Sequence, residues 1–412
     1  MRNDRASVVM LSPEPPYPLH GGGAYRIASL LHYFAQFADV DLIQISETTR
    51  PALLPAGLVR SQTVIPLPPH SRATLARFIR NARRAIVGVP PLIDRLAGLG
   101  SEIAQALTAR KYDLGIIEHF WCAPYVTLLR EACSTTVLDL HNVESSLHER
   151  CASIPAGRFN LSQMAIRAGH RWFAKSARCL ESKWIEQFDL TLVTSQADLQ
   201  RASKLAPSAK YVIYPNSLPA RELPAQAEAR VVVFSGNFEY HPNADAVRFL
   251  TGELWPSITN QFPECKLRLL GRGAECVRDL ARPGDSIELT GMVEDAAAEI
   301  AKAALVIVPL RTGSGTRVKI LEAWSAARAV ISTPLGAEGL RFADGENIVL
   351  AGTASELING VATLLRNPDY RIRLGQKGRE TFEQYYTWPA AWSQLDSALR
   401  PQIMPGIADI LN

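Results

Sequence analysis

Short β-branched, apolar runs alternate with helix-like stretches along most of this chain, and the pattern occurs twice. Such alternation is what a parallel sheet demands, because each parallel neighbour is reached only through a crossover. In the first half the strand candidates are Ser7–Ser12, Val40–Ile45, Thr63–Leu67, Leu114–Glu118, Thr135–Leu140, Leu190–Thr194 and Lys210–Tyr214. The second half restarts with Val231–Ser235, Lys266–Leu270, Ser286–Leu289, Leu305–Pro309, Val330–Thr333 and Asn347–Leu350. Several are continuously apolar, as strands covered on both faces should be. Between the halves, Pro215–Ala229 is rich in Pro, Ala and Glu and reads as a linker. The 412 residues exceed what one ordinary core serves. The pattern therefore predicts an α/β fold of two Rossmann-like domains, 1–218 and 219–386, facing across a cleft. A helical segment, 387–412, carries Trp388 and Trp392 and is expected to return to the first domain.

In open α/β sheets ligands sit beyond the carboxyl ends of the strands, so strand ends hold the candidate site residues. After the first strand, Gly21, Gly22 and Gly23 open a helix over Ala24–Phe34, where bare backbone and free N–H groups suit an anion. His141 follows a buried strand, where it could bond a sugar hydroxyl or a diphosphate, or shuttle a proton. His119 stands after Glu118 as a second candidate. The densest segment runs from Val308 to Trp324. A strand ends at Pro309, a small-residue loop follows, and a helix begins near Thr316. Its N-terminus, with Arg317 and Lys319, offers positive charge to a phosphate, and Glu322 could accept from vicinal ribose hydroxyls.

The run from Pro309 to Leu340 resembles the donor segment of the retaining, GT-B fold glycosyltransferases of family 4, in a variant reading GTRxKxLEA. Phe234-Ser235-Gly236-Asn237 is similar to the opening of that family's second domain, and Leu270-Gly271-Arg272-Gly273 to its "VGxG" strand end. Gly291–Asp295, with Val293, resembles the loop beside the nucleobase, and Tyr214–Ser217 the linker entry. The resemblance implies donor binding by Gly236, Asn237, Arg272, Val293, Ser314, Gly315, Thr316, Arg317, Lys319 and Glu322, with His141 catalytic. It also implies a nucleotide-sugar substrate, a glycan or lipid-linked acceptor in polysaccharide or cell-envelope assembly, no cofactor and no metal. The sequence departs from the family where an upstream Glu usually stands, for that position is Ser314. It also lacks the usual Arg and Lys within Gly236–Asn243.

Two alternatives stay open: a nucleotide-sugar 2-epimerase on the same architecture, and a non-catalytic nucleotide-sugar-binding pseudoenzyme. A dehydrogenase is excluded, since no GxGxxG with a downstream acid occurs. Six cysteines without a CxxC pair predict reduced thiols, not a zinc site or a disulfide framework. Up to residue 220 there are 24 Lys and Arg against 17 Asp and Glu, and beyond it 20 against 23. The basic half suits an anionic partner other than nucleic acid. Arg72–Ile86 alternates Arg with apolar residues at helical spacing. It reads either as a helix on an anionic membrane or as a surface helix of the first domain. Arg167–Arg178 is a second basic stretch, suited to an acceptor. With no signal peptide, the expected location is the cytoplasm, with peripheral attachment at the inner face of the membrane.

Overall fold

The computed structural model describes residues 5–48, 50–68, 79, 80, 82–84, 86, 88–108, 110–153, 161–225, 230–280, 286–313, 315 and 317–403. Ser314 and Thr316 of the expected donor loop lie outside these residues, as does most of Arg72–Ile86. The described strands form two sheets. The first contains β1 (Ala6–Ser12), β2 (Ala38–Ser46), β3 (Ser61–Pro66), β4 (Tyr112–Glu118), β5 (Cys133–Leu140), β6 (Leu190–Val193) and β7 (Tyr211–Ile213). Their order is β3-β2-β1-β4-β5-β6-β7, and every pairing is parallel. The second contains β8 (Val231–Ser235), β9 (Lys266–Leu270), β10 (Ile287–Gly291), β11 (Leu305–Val308), β12 (Ala329–Ser332) and β13 (Val349–Leu350). It too is parallel, in the order β10-β9-β8-β11-β12-β13. In each sheet the direction of winding reverses once, between β1 and β4 and between β8 and β11. Crossovers diverge there and leave a crevice at the strand ends.

The chain divides into two units. Residues up to Pro215, joined by those from Trp392 onward, form the first, and Asn216–Ala391 the second. β11, wholly apolar, and β12, apolar up to Ser332, are buried at every position, as strands covered on both faces are. In the first unit, Trp392 donates its indole N–H to Ser29 Oγ at 3.0 Å, and the Tyr33 hydroxyl donates to Asp396 at 3.0 Å. In the second, the helix Val318–Ser325 is anchored by Trp324. That side chain is fully buried and donates to the Asn347 carbonyl at 3.0 Å. The helix Pro368–Tyr385 passes over the same indole at Gly378, where a Cβ would collide with the ring. Anchoring Trp324 fixes the roll of its helix, and with it the direction of the side chains at its start.

Among the described residues all six cysteines are free thiols, four of them buried. No described helix is long and apolar enough to cross a membrane.

Candidate active site

In the first unit the switch point between β1 and β4 gathers a polar cluster inside an apolar core. Arg26, on the helix Gly22–Ala35, is fully buried and grips Asp139 of β5. Its Nε donates to Oδ1 and Oδ2 at 2.9 and 2.7 Å, and Nη2 to Oδ1 at 2.5 Å. Nη1 donates to the Tyr214 carbonyl at 2.6 Å, and the guanidinium lies 4.5 Å over the Tyr214 ring. Burial opposes ionisation of Asp139, but Arg26 and His141 outweigh it and hold the carboxyl well below the usual range. His141 leaves the end of β5 with Nε2 2.9 Å from Glu118 Oε2 and 3.3 Å from Asp139 Oδ2. Its ring stacks on His119 at 3.6 Å, and His119 stacks on Trp121 at 4.2 Å. Burial and the neighbouring His119 push His141 down to about 4 despite Asp139. Glu118 is held well above its usual range by burial and by the charge of Asp139.

Gly21, at φ +88°, caps the helix, while Gly22 and Gly23 already belong to its first turn. A Cβ on Gly23 would collide with the carboxylate of Glu14, which also lies 3.5 Å from His119 Nε2. The triple glycine is thus a helix start with a close approach at its third residue. Glu118, Asp139 and His141 offer ligand atoms within 4.8 Å of one another, a spacing that could hold a metal ion. Both Asp139 oxygens accept from Arg26.

The second unit builds its site at the β8–β11 switch point. Gly236 N–H donates to the Leu270 carbonyl at 2.9 Å, and Gly271 N–H to the Gly291 carbonyl at 2.7 Å, lacing three strand ends together. Any Cβ on Gly271 would overlap the Gly236 carbonyl, so the two loops pack backbone on backbone. The Asn237 carbonyl accepts from Asn243 Nδ2 at 2.7 Å, and Asn243 Oδ1 accepts from Lys319 Nζ at 2.7 Å. Lys319 Nζ also lies 4.5 Å over the Phe234 ring. Burial, reinforced by the Arg317 guanidinium, pushes Lys319 down to about 7, and burial pushes Glu322 up to about 7. The two share one helix face, three residues apart. Among the described residues the Glu322 carboxylate has no hydrogen-bond partner.

Arg317 caps that helix and is buried, with Nη2 2.9 Å from where a Cβ of Gly313 would be. Gly315 takes φ +75°. Val293 is half-buried in the loop after β10. Arg272 is exposed and lies 3.3 Å from Glu239, which is exposed too. Such a pair is weak in water and leaves the cation available. Arg311 is turned away onto Asp245, at 2.8 and 3.1 Å, and over Phe249.

Arg26, Glu118, Asp139 and Asn243 escaped the sequence reading. An acid inside the apolar run Val137–Leu140 was the available signal, since a buried carboxylate demands a buried cation. Which cation could not be read. Of the basic stretches, Arg84 is buried and donates to Asp94 at 2.7 Å, so it does not face outward as a membrane-bound Arg must. Arg171, Lys175 and Arg178 line a cavity of about 430 Å³ together with Glu149.

Residues 229–367 match the profile of the family described as glycosyl transferases group 1. The fold is similar to that of sucrose-phosphate synthase from Thermosynechococcus elongatus. That match has 17% identity and a TM-score of 0.71, covering 96% of this chain and 98% of the other. HepE from Anabaena, solved in complex with UDP and glucose, aligns at 15% identity and a TM-score of 0.62, with 95% and 98% covered. An uncharacterized 44.6 kDa protein in the cps region of Klebsiella pneumoniae is 22% identical over 365 residues, 84% of this chain and 87% of that one. The second unit therefore carries a glycosyl transferases group 1 domain on a GT-B architecture of two Rossmann-like units. The protein is a glycosyltransferase.

Proposed function

We propose that this glycosyltransferase moves a sugar, with retention of configuration, from a nucleotide-sugar donor to a glycan or lipid-linked acceptor in polysaccharide or cell-envelope assembly. The observation that carries the reading is the Lys319–Glu322 pair at the β8–β11 switch point, inside the segment that matches the family. A half-neutral ammonium beside a buried guanidinium is a poor arrangement until an anion arrives. A donor diphosphate supplies that anion, and a ribose attached to it supplies hydroxyl donors to Glu322. Gly236 and Asn237 let the backbone approach the diphosphate, with Arg272 at the rim of the site. Ser314, Gly315 and Thr316 take part in holding the donor, and Val293 packs against the base. Arg317 and Lys319 neutralise the diphosphate, so transfer proceeds without a divalent ion. His141 of the first unit acts in turnover, and Gly21–Gly23 bring a helix N-terminus to the same strand ends. The enzyme works in the cytoplasm, with its acceptor drawn from the inner face of the membrane.

The test is calorimetric titration with nucleoside and nucleoside diphosphate, EDTA present throughout. Glu322→Ala weakens both ligands by about tenfold, since two hydroxyls lose their acceptor. Arg317→Ala weakens the diphosphate far more than the nucleoside. Equal diphosphate binding by wild type and both variants would place the donor site elsewhere. Product analysis separates the alternatives: a transferase releases nucleoside diphosphate, an epimerase an isomeric donor, and a pseudoenzyme neither. The pseudoenzyme is kept in view by Ser314, where the family's upstream Glu usually stands.

A further inference from the structure

We propose that Glu118 is a positioning residue for His141, a neutral acid that donates Oε2–H to His141 Nε2 and so leaves the imidazole proton on Nδ1. The inference deepens the reading of His141 given above and rests on it for its functional meaning. Its physical basis is the balance of charges and donors around two fully buried carboxyl groups. The groups facing one another there are Arg26 from the helix Gly22–Ala35, Glu118 and His119 from the end of β4, and Asp139 and His141 from the end of β5. Tyr214 and Glu14, the latter through His119, complete the set.

One guanidinium can neutralise one carboxylate, and Arg26 is committed to Asp139 by three hydrogen bonds. Glu118 is equally buried, and its Oε1 has no hydrogen-bond partner among the described residues. An ionised Glu118 would leave half of its charge on an oxygen without a donor, in a low-dielectric site already holding Asp139. A protonated Glu118 with its hydrogen on Oε2 leaves only a neutral carbonyl there. Two acceptors face that hydrogen, His141 Nε2 at 2.9 Å and the Asp139 carboxylate. Asp139 competes less well, because its oxygens already accept from Arg26. The raised carboxyl of Glu118 and the lowered imidazole of His141 have the same direction as this assignment.

With Nε2 serving as acceptor, the ring proton sits on Nδ1, which has no partner among the described residues. Nδ1 then has no lone pair to take up a proton. His141 presents a hydrogen-bond donor to its ligand, suited to an oxygen on which negative charge gathers, and it is not a general base through that nitrogen.

Nitrogen-15 NMR of the histidine-labelled full chain, without donor or acceptor, tests the assignment, His141 being identified by the signal lost in His141→Gln. The expected spectrum between about pH 6 and 8 has a pyrrole-type Nδ1 and a pyridine-type Nε2. Glu118→Gln, whose amide can also donate to Nε2, keeps that pattern, and Glu118→Leu loses it. A pyrrole-type Nε2 in the wild type overturns the proposal, and that spectrum decides even if the Leu variant fails to fold. An Nδ1–H signal together with full turnover by His141→Ala would instead defeat the reading of His141 as functional, leaving its tautomer as assigned.

Discussion

Donor binding should follow a bell-shaped pH profile centred near 7, each limb belonging to one side chain of the helix Val318–Ser325. Lys319 is held down to about 7 by burial and by Arg317, with Glu322 pulling the other way. A bound diphosphate favours the ammonium, so it raises that value. The resulting affinity is complete below pH 7 and is lost as the pH rises through it. If the bound Lys319 titrates above about 10, its contribution to affinity falls roughly 15-fold between about pH 7 and 8.5, and Kd rises roughly 8-fold once the completed ionisation of Glu322 is included. Glu322 is held up to about 7 by burial, with Lys319 opposing and Asp295 adding to the shift. Ribose hydroxyls favour the carboxylate, so this contribution is complete above pH 7 and fades below it. The Glu322 loss is again roughly 15-fold by about pH 5.5, and Kd again rises roughly 8-fold. The two groups interact, so the midpoints belong to the pair. The ligand of choice is an intact nucleotide sugar, whose diphosphate does not titrate in this range. Isothermal titration in EDTA from about pH 5.5 to 8.5 reads the profile. Lys319→Met removes the alkaline limb and Glu322→Gln the acid one. A flat Kd in the wild type, or limbs that survive these substitutions, would refute the reasoning.

Three further outcomes are expected. His141→Ala lowers turnover by about 10²-fold with the fold intact, as loss of a donor to developing charge does; near-wild-type turnover removes His141 from the site. Arg26→Met strands a buried carboxylate and costs about 3–5 kcal/mol in urea unfolding, most of it recovered by Asp139→Leu in the same chain. No recovery would show that Arg26 stabilises by packing alone. Because Arg84 is committed to Asp94, the membrane reading of the Arg-rich segment is tested on Arg77 and Arg83. Their replacement by Gln should weaken pelleting with anionic vesicles, and unchanged pelleting would return the segment to a surface role.

The two sheets were legible because a strand buried on both faces must be continuously apolar. β8 and β9 span the residues expected, β11 ends one residue early, and β12 is shifted by one residue toward the N-terminus. That Arg317, Lys319 and Glu322 would be neighbours was equally legible, because they stand at the start of one short helix and their spacing is a property of the chain. The polar cluster of the first unit was not. Arg26 and Asp139 are 113 positions apart, and nothing local to either names the other. Sequence could show that an acid interrupts an apolar strand and that a His follows it. Only the order β1-β4-β5 brings that acid beside the helix bearing Arg26 and sets Glu118 against His141. Local periodicity records which face of an element is buried, whereas the partner of a buried charge is chosen by strand order. The protonation of that charge follows from how many donors the folded core places within reach.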